Sequence, residues 1–143
     1  MKYSIAIGSD HAGFDVKQKI IQALESGDLQ GFNGGISDMG PDSSDRVDYP
    51  DFAHKVAQAV SEGTCNLGIL ICGSGNGVCI TANKHEGIRA GLAWDTELAS
   101  LAREHNNANI ICLPARFVSE EKAIDIAKAF LESAFEGGRH QDR

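Results

Sequence analysis

The arrangement in this sequence best suited to chemistry is a cysteine followed at once by a glycine-rich turn. Cys72 comes directly after an apolar run, and Gly73, Gly75 and Gly77 follow it at alternate positions. Such a turn leaves backbone N–H groups unobstructed, which is how a chain builds a pocket for an anionic oxygen or a phosphate. The same surroundings would favour a thiolate. The sequence therefore predicts an anion pocket that a thiol looks into.

Further polar groups follow other predicted strands. Asp10 and His11 come after the first strand, and Arg116 comes after the last. Ligands of parallel sheets bind outside the carboxyl ends of the strands, so we expect these groups near the cysteine. His105 and Asn106 lie at the end of a helix, where an imidazole could act as an acid or a base at the edge of a cleft.

Structural roles are open for the same residues. Asp10 could simply cap the first helix, and a cysteine at the end of a buried strand, such as Cys72, is often a small apolar residue. His105 could be a hydrogen-bonded core histidine. Arg139 and Arg143 could belong to a solvated tail.

The spacing Gly73-x-Gly75-x-Gly77 also resembles a dinucleotide-binding turn, with Asp95 at a suitable distance for a ribose contact. The third glycine comes one residue early for that fingerprint, and a glycine-rich match alone is weak evidence. A nucleotide- or phosphate-binding module without catalysis is therefore the alternative reading of this turn.

Strand and helix patterns alternate along the chain, which predicts an α/β fold with a mainly parallel sheet. The helix that starts near Thr96 has a predicted inner stripe of Leu98, Leu101, Ala102 and His105. Ser119 is a predicted N-cap. The last long helix is predicted to face inward with Ala123, Ala127, Phe130, Leu131 and Ala134. Strands are predicted at residues 3–8, 36–39, 67–71, 88–93 and 110–113.

Bulk properties limit the functions that need to be considered. The 143 residues, 42% hydrophobic and 23% charged, predict one globular domain over residues 1–143. A net charge of −7 argues against nucleic-acid binding. The sequence has no signal peptide and no run long enough to span a membrane, so a cytoplasmic location is expected. Its four cysteines lack zinc-site spacing, so no structural metal is expected.

Several stretches, taken together, resemble the type B ribose-5-phosphate isomerases, a family that includes the allose- and galactose-6-phosphate isomerases. That resemblance implies a Rossmann-like three-layer sandwich with a five-stranded sheet, no metal or organic cofactor, and a homodimer with sites at the subunit interface. Whether dimers pair into tetramers is left open. The matching stretches are Gly8-Ser-Asp-His-Ala-Gly13, Asp48-Tyr-Pro50, Ile71-Cys-Gly-Ser-Gly-Asn-Gly77, Ala82-Asn-Lys84, Glu104-His-Asn106 and Gly137-Gly-Arg-His140.

The resemblance also implies roles for individual residues. Cys72 would be the base that moves a proton between C1 and C2 of the open-chain sugar, and Ser74 would relay a proton between O1 and O2. His105 with Asp10 would open the sugar ring. Val78 stands where some members have a glutamate base, so the chain resembles the cysteine subclass. The turn that would bind the enediolate oxygen is Gly73, Ser74, Gly75, Asn76 and Gly77.

Phosphate and hydroxyl contacts are implied in the same way. The phosphate would be bound by His11, Arg139 and Arg143, with help from His140, and Arg116 would be donated by the neighbouring subunit. Tyr49 and Asn106 would contact sugar hydroxyls. Residues 26–35 are longer and richer in glycine than the family's second-strand region, which predicts an altered rim.

The function implied is interconversion of ribose 5-phosphate and ribulose 5-phosphate through an enediolate, a step of the pentose phosphate pathway. The alternatives are a six-carbon isomerase, for allose or galactose 6-phosphate, and the non-catalytic binding module.

Overall fold

In a computed structural model, which describes residues 3–27 and 34–143, five parallel strands form one sheet. The strands are β1 (Ile5–Ser9), β2 (Ile36–Asp38), β3 (Leu67–Cys72), β4 (Ala90–Leu92) and β5 (Ile110–Pro114), in the order β2-β1-β3-β5-β4. The helices are α1 (Phe14–Glu25), α2 (Tyr49–Ser61), α3 (Asn76–Ala82), α4 (Thr96–Glu104), α5 (Glu120–Glu132) and α6 (Arg139–Asp142). The predicted α/β fold with a five-stranded parallel sheet is confirmed.

The central strand β3 is buried on both faces along its whole length. Ile69 and Ile71 point into a core shared with α1 and α5. Leu70 and Cys72 point to the other face, into a core shared with α2 and α3. Successive side chains of a strand alternate between faces, and a strand covered on both sides reads as a continuous apolar run. The molecule is therefore a three-layer sandwich, with the thiol of Cys72 on the α2 and α3 side.

Two details of the predicted helix faces are wrong. Leu98 is 47% exposed, whereas its neighbour Ala99 is fully buried, so the inner stripe of α4 lies one position further along the chain. Ala134 is exposed because α5 already ends at Glu132. The predicted N-cap is confirmed, since the hydroxyl of Ser119 accepts a hydrogen bond from the backbone N–H of Lys122 at 3.0 Å.

Some predictions concern residues outside the described part of the chain. Most of the stretch at residues 26–35, including 28–33, lies there, so the altered rim stays a prediction. The edge strand predicted at residues 36–39 is confirmed as β2. Among the described residues, we find no helix that is both long and apolar enough to cross a bilayer.

One buried ion pair anchors the segment that follows β2. The ammonium of Lys17 on α1 is fully buried and donates to Asp38 Oδ1 at 2.7 Å and Oδ2 at 2.9 Å. It also donates to the carbonyl of Pro41 at 2.9 Å. A buried ammonium must be fully hydrogen-bonded, so these acceptors fix the chain after β2 against α1.

We predict that Lys17→Met destabilises the fold by about 2–3 kcal/mol, because Asp38 and the Pro41 carbonyl lose their donor. The loss stays below that of a fully buried pair since the Asp38 side chain is 37% exposed. Chemical denaturation measures the change. The matched control is Lys19→Met on the exposed side of α1, which should change stability by less than about 0.5 kcal/mol; equal losses would show that the buried contacts are not responsible.

Candidate active site

The thiol of Cys72 lies at the carboxyl end of β3 and is almost buried, with 5% of the residue exposed. Its own carbonyl accepts a hydrogen bond from Ala115 N–H at 2.9 Å, and the Gly73 carbonyl accepts one from Arg116 N–H at 3.0 Å. These bonds tie the end of β3 to the end of β5. The cysteine is thus held at the carboxyl end of β3, the end of the strands where ligands of parallel sheets bind.

The glycine turn is closely packed on three sides. Gly75 has a φ of 76°, and a Cβ there would lie 2.5 Å from Leu92 and 3.1 Å from the Leu113 backbone. A Cβ at Gly77 would lie 2.5 Å from the ring of Tyr49. The hydroxyl of Ser74 accepts from Asn76 N–H at 3.2 Å. The turn therefore needs glycine for both conformation and space, and Tyr49 lies directly over it.

Arg116 lies beside the turn of its own chain. A Cβ at Gly73 would be 3.1 Å from its Nη1 atom. This position favours a contribution to the site of its own chain, whereas the family resemblance implies donation by the neighbouring subunit.

Asp10 and His11 lie at the same edge of the sheet, after β1. The backbone N–H of Asp10 donates to the Ile71 carbonyl at 3.1 Å, and its Oδ1 accepts from Gly13 N–H at 3.0 Å. His11 Nδ1 lies 3.3 Å from Val47 N and 3.2 Å from Val47 O. When Nδ1 accepts the Val47 N–H, the ring proton is on Nε2, where it can be donated to an anion. Both residues therefore stand next to the strand that ends in Cys72.

A second group of polar residues surrounds the ends of α4 and α6. It encloses a cavity of about 160 Å³. The cavity is lined by Arg89, His105, Asn106, Asn107, Phe135, His140, Gln141 and Arg143. A larger cavity of about 400 Å³ runs along the edge strand β4 and shares Arg89 and Asn106 with it. Three positive or titratable groups that the sequence suggested for the substrate, His105, His140 and Arg143, therefore meet here.

Within this second group, Glu136 lies between two histidines. Its Oε1 is 3.3 Å from His105 Nε2 and 3.7 Å from His140 Nε2. The two imidazole rings stack with centroids 4.1 Å apart and planes 15° apart. Burial, together with the nearby charges of His105, Arg139 and Arg143, lowers the pKa of His140, and Glu136 only partly opposes this.

The same three side chains bring possible metal-ligand atoms within 4.8 Å of one another. However, a histidine coordinates a metal through a lone pair in the plane of its ring. Two nearly parallel, stacked rings direct these lone pairs side by side and not toward one point. The geometry therefore favours an ionic cluster over a metal centre.

The two groups lie at opposite ends of the parallel strands. The group around Cys72 lies at the carboxyl ends, and the group around His105 lies at the amino ends. Cys72 is paired with Pro114 at the end of β5, whereas Asn109 and Arg89 are bonded to each other just before β5 and β4 begin. The strand between those levels spans roughly 13 Å from Ile110 to Pro114. His105 ends a helix that returns to the level of Asn109. Cys72 and His105 of one chain therefore lie apart, as residues of a site at a subunit interface could.

The sequence patterns did not single out several charged and aromatic residues that make contacts in the structure. Arg89 donates through Nε to the Asn106 carbonyl at 2.6 Å, and its N–H donates to Asn109 Oδ1 at 2.8 Å, so it fixes the loop after α4. Glu136 and the exposed aromatic pair of Trp94 and Phe117, with centroids 5.2 Å apart, were also missed. A charged residue directly before a short strand, as at Arg89, is the kind of signal that could have been noticed.

The burial of the other three cysteines suits a structural role as small apolar residues. Cys65 and Cys112 are buried, and Cys79 is partly buried. Burial raises the pKa of Cys112, whereas a hydrogen bond with Cys112 lowers the pKa of Cys79. Asp95 is the N-cap of α4, where its Oδ1 accepts a hydrogen bond from Leu98 N–H at 2.9 Å.

We predict that Gly75→Ala costs more stability than Gly87→Ala. Both glycines have a positive φ, 76° and 81°, but a Cβ at Gly87 meets open space. Each substitution should cost about 1–2 kcal/mol for the left-handed conformation, and Gly75→Ala about 1–2 kcal/mol more for overpacking. Thermal unfolding of both variants measures the difference. Equal losses would contradict the close packing of the turn against β5.

Comparison with known proteins supports the family resemblance found in the sequence. The family model for ribose/galactose isomerases matches residues 5–143. A probable ribose-5-phosphate isomerase B from Mycoplasma pneumoniae is 46% identical over 144 residues, covering 100% of this chain and 91% of that protein. The ribose-5-phosphate isomerase B of Escherichia coli is 43% identical over 139 residues, covering 97% and 90%.

A solved structure gives the same result. Ribose-5-phosphate isomerase B from Mycoplasma genitalium, with bound ribulose-5-phosphate, superposes with a TM-score of 0.90 at 44% identity, covering 98% of this chain and 90% of that one. Both the sequence and the fold thus match along nearly the whole chain. The chain belongs to the ribose/galactose isomerase family.

Proposed function

We propose that this chain is an aldose–ketose isomerase that interconverts ribose 5-phosphate and ribulose 5-phosphate. The observation that supports this most strongly is the thiol of Cys72, held at the end of β3 beside the glycine turn and the Asp10–His11 pair. The relatives named for ribose 5-phosphate favour the five-carbon substrate over allose or galactose 6-phosphate. The binding-module alternative is not favoured, because Asp95 is used as a helix cap.

In the proposed reaction, the thiolate of Cys72 takes the proton from C2 of the open-chain aldose and returns it to C1. The intermediate is an enediolate, whose negative oxygen needs donors that are already in place. Amide groups of the turn between Gly73 and Gly77 supply them, except that of Asn76, which donates to Ser74. The Ser74 hydroxyl relays the proton between O1 and O2. No cofactor has a role in this proposal.

Ring opening must come first, because the aldose is mostly cyclic. His105 donates a proton to the ring oxygen as the bond between that oxygen and C1 breaks, and Asp10 takes the proton of the O1 hydroxyl. This is general acid–base catalysis by two groups of opposite protonation state. It requires His105 and Asp10 to face the same sugar, which a single chain does not allow.

A homodimer with shared sites resolves this separation. One copy provides the catalytic half, formed by Asp10, His11, Cys72 and the glycine turn. The other provides a cationic half from the ends of α4 and α6. In a two-fold dimer each copy gives both halves, so two equal sites result. The cationic half consists of His105, Asn106, Arg139, His140 and Arg143.

In this arrangement the phosphate lies between His11 of the catalytic half and Arg139 and Arg143 of the cationic half. Arg116, placed beside Gly73, is assigned in this proposal to the catalytic half of its own chain, whereas the family resemblance implies donation by the neighbouring subunit. Tyr49 and Asn106 contact the sugar hydroxyls. A cytoplasmic location, expected from the sequence, and a place in the pentose phosphate pathway, implied by the family resemblance, belong to the proposal, and the pairing of dimers into tetramers is not part of it.

We expect the purified protein to convert ribose 5-phosphate to ribulose 5-phosphate. In heavy water, proton NMR should show both this conversion and the entry of deuterium into the sugar. Cys72→Ala should lower turnover at least about a hundredfold, because the base is lost. The control is Cys65→Ala, a buried cysteine outside the turn, which should keep its activity. Unchanged turnover of Cys72→Ala would contradict the role of the thiol.

Shared sites make a separate prediction. Cys72→Ala and His105→Asn should each be inactive alone, but mixing them with exchange of subunits should restore about a quarter of wild-type activity. Half of the dimers are then mixed, and each mixed dimer contains one intact site. No recovery from dimers shown to be mixed would mean that each site uses residues of a single chain.

A further inference from the structure

The contact between Glu136 and His105 has no role in the reaction described above, yet it is the closest charged contact that His105 makes among the described residues. Glu136 belongs to the segment between α5 and α6, and its backbone N–H donates to the Glu104 carbonyl at 3.0 Å. The segment is therefore bonded to the last turn of α4, directly beside His105. This bond fixes the position of the Glu136 backbone, from which the carboxylate reaches the imidazole.

The two histidines compete for the same carboxylate oxygen, and their surroundings differ. The His140 side chain is only 8% exposed, whereas that of His105 is 38% exposed. Burial lowers the pKa of His140, the better buried of the two rings. That ring serves as a flat surface on which the His105 ring stacks. Glu136 is left to pair with the exposed ring that faces solvent and substrate.

Other charges around the pair are positive. Arg139 and Arg143 act on His140, and Arg89 and Arg143 line the same cavity. A cationic cluster of this kind suits a phosphate but opposes a protonated imidazole. The Glu136 carboxylate is a negative group that lies against the His105 ring in these surroundings.

We propose that Glu136 is a positioning residue of the isomerase: its carboxylate, with the stacked ring of His140, holds the His105 imidazole in the orientation needed to open the sugar ring. The inference rests on the proposed function, because it assumes that His105 opens the ring. Glu136 does not itself touch the reacting atoms.

The test separates ring opening from proton transfer. Isomerisation of ribose 5-phosphate needs both steps, whereas exchange of solvent deuterium into C1 of ribulose 5-phosphate needs only proton transfer, because that ketose is already open-chain. Glu136→Gln should lower kcat from ribose 5-phosphate about tenfold, part of what an acid catalyst contributes, and leave the exchange within about twofold of wild type. Glu136→Asp, which keeps the charge, should have a kcat from ribose 5-phosphate between those of wild type and Glu136→Gln.

The matched control is Glu132→Gln, an exposed glutamate at the end of α5, which should leave both rates unchanged. If the protein shields the transferred proton from solvent, the exchange assay gives no signal. The kinetic isotope effect on kcat with ribose 5-phosphate deuterated at C2 then separates ring opening from proton transfer. That effect should fall toward one in Glu136→Gln, because ring opening becomes the slow step.

Two results would overturn the role of Glu136: a parallel loss of isomerisation and exchange, which general damage to the site would cause, or no loss of either. Both differ from failure of the proposed function, in which the wild-type protein itself does not isomerise ribose 5-phosphate.

Discussion

In a parallel sheet, each helix that follows a strand must return to the level where the next strand begins. This constraint decides where the chemistry of this protein can take place. β3 delivers Cys72 to the carboxyl edge, and α4 returns His105 to the amino edge. Cys72 and His105 of one chain are thus separated by roughly the length of a strand, which is why we propose sites shared between two copies of the chain.

The same constraint explains how an acidic protein binds a doubly charged substrate. The net charge of −7 is unfavourable for any phosphate. Arg89 and Arg143 line the cavity where the ends of α4 and α6 meet, and Arg139 begins α6. Because such fields are local in water at physiological ionic strength, a small cationic cluster determines where the anion binds, whatever the overall charge.

The parts of the fold that depend on local patterns were predictable from the sequence. The apolar run of β3 and the glycine turn after it, the Asp10–His11 pair after β1, and the cap at Ser119 all lie where their patterns indicate. Local patterns identify an element and the position of its end. They do not state which residues from distant parts of the chain meet.

The errors therefore concern long-range packing. Ala99, not Leu98, faces the core because α4 also packs against α5. The distance between His105 and Cys72 depends on the direction in which α4 runs, and the contact of Glu136 with His105 depends on how the segment after α5 folds back onto α4. Neither is encoded in a short motif. Family resemblance gave the list of site residues but not their division between two edges of the sheet.

A crystal structure of this protein with ribulose 5-phosphate bound would test the central claim most directly. The account predicts that C1 and C2 of the sugar lie against the thiol of Cys72 of one copy, while the phosphate contacts Arg139 and Arg143 of the other. A sugar phosphate bound wholly within one chain, or with C1 and C2 away from the thiol, would contradict it.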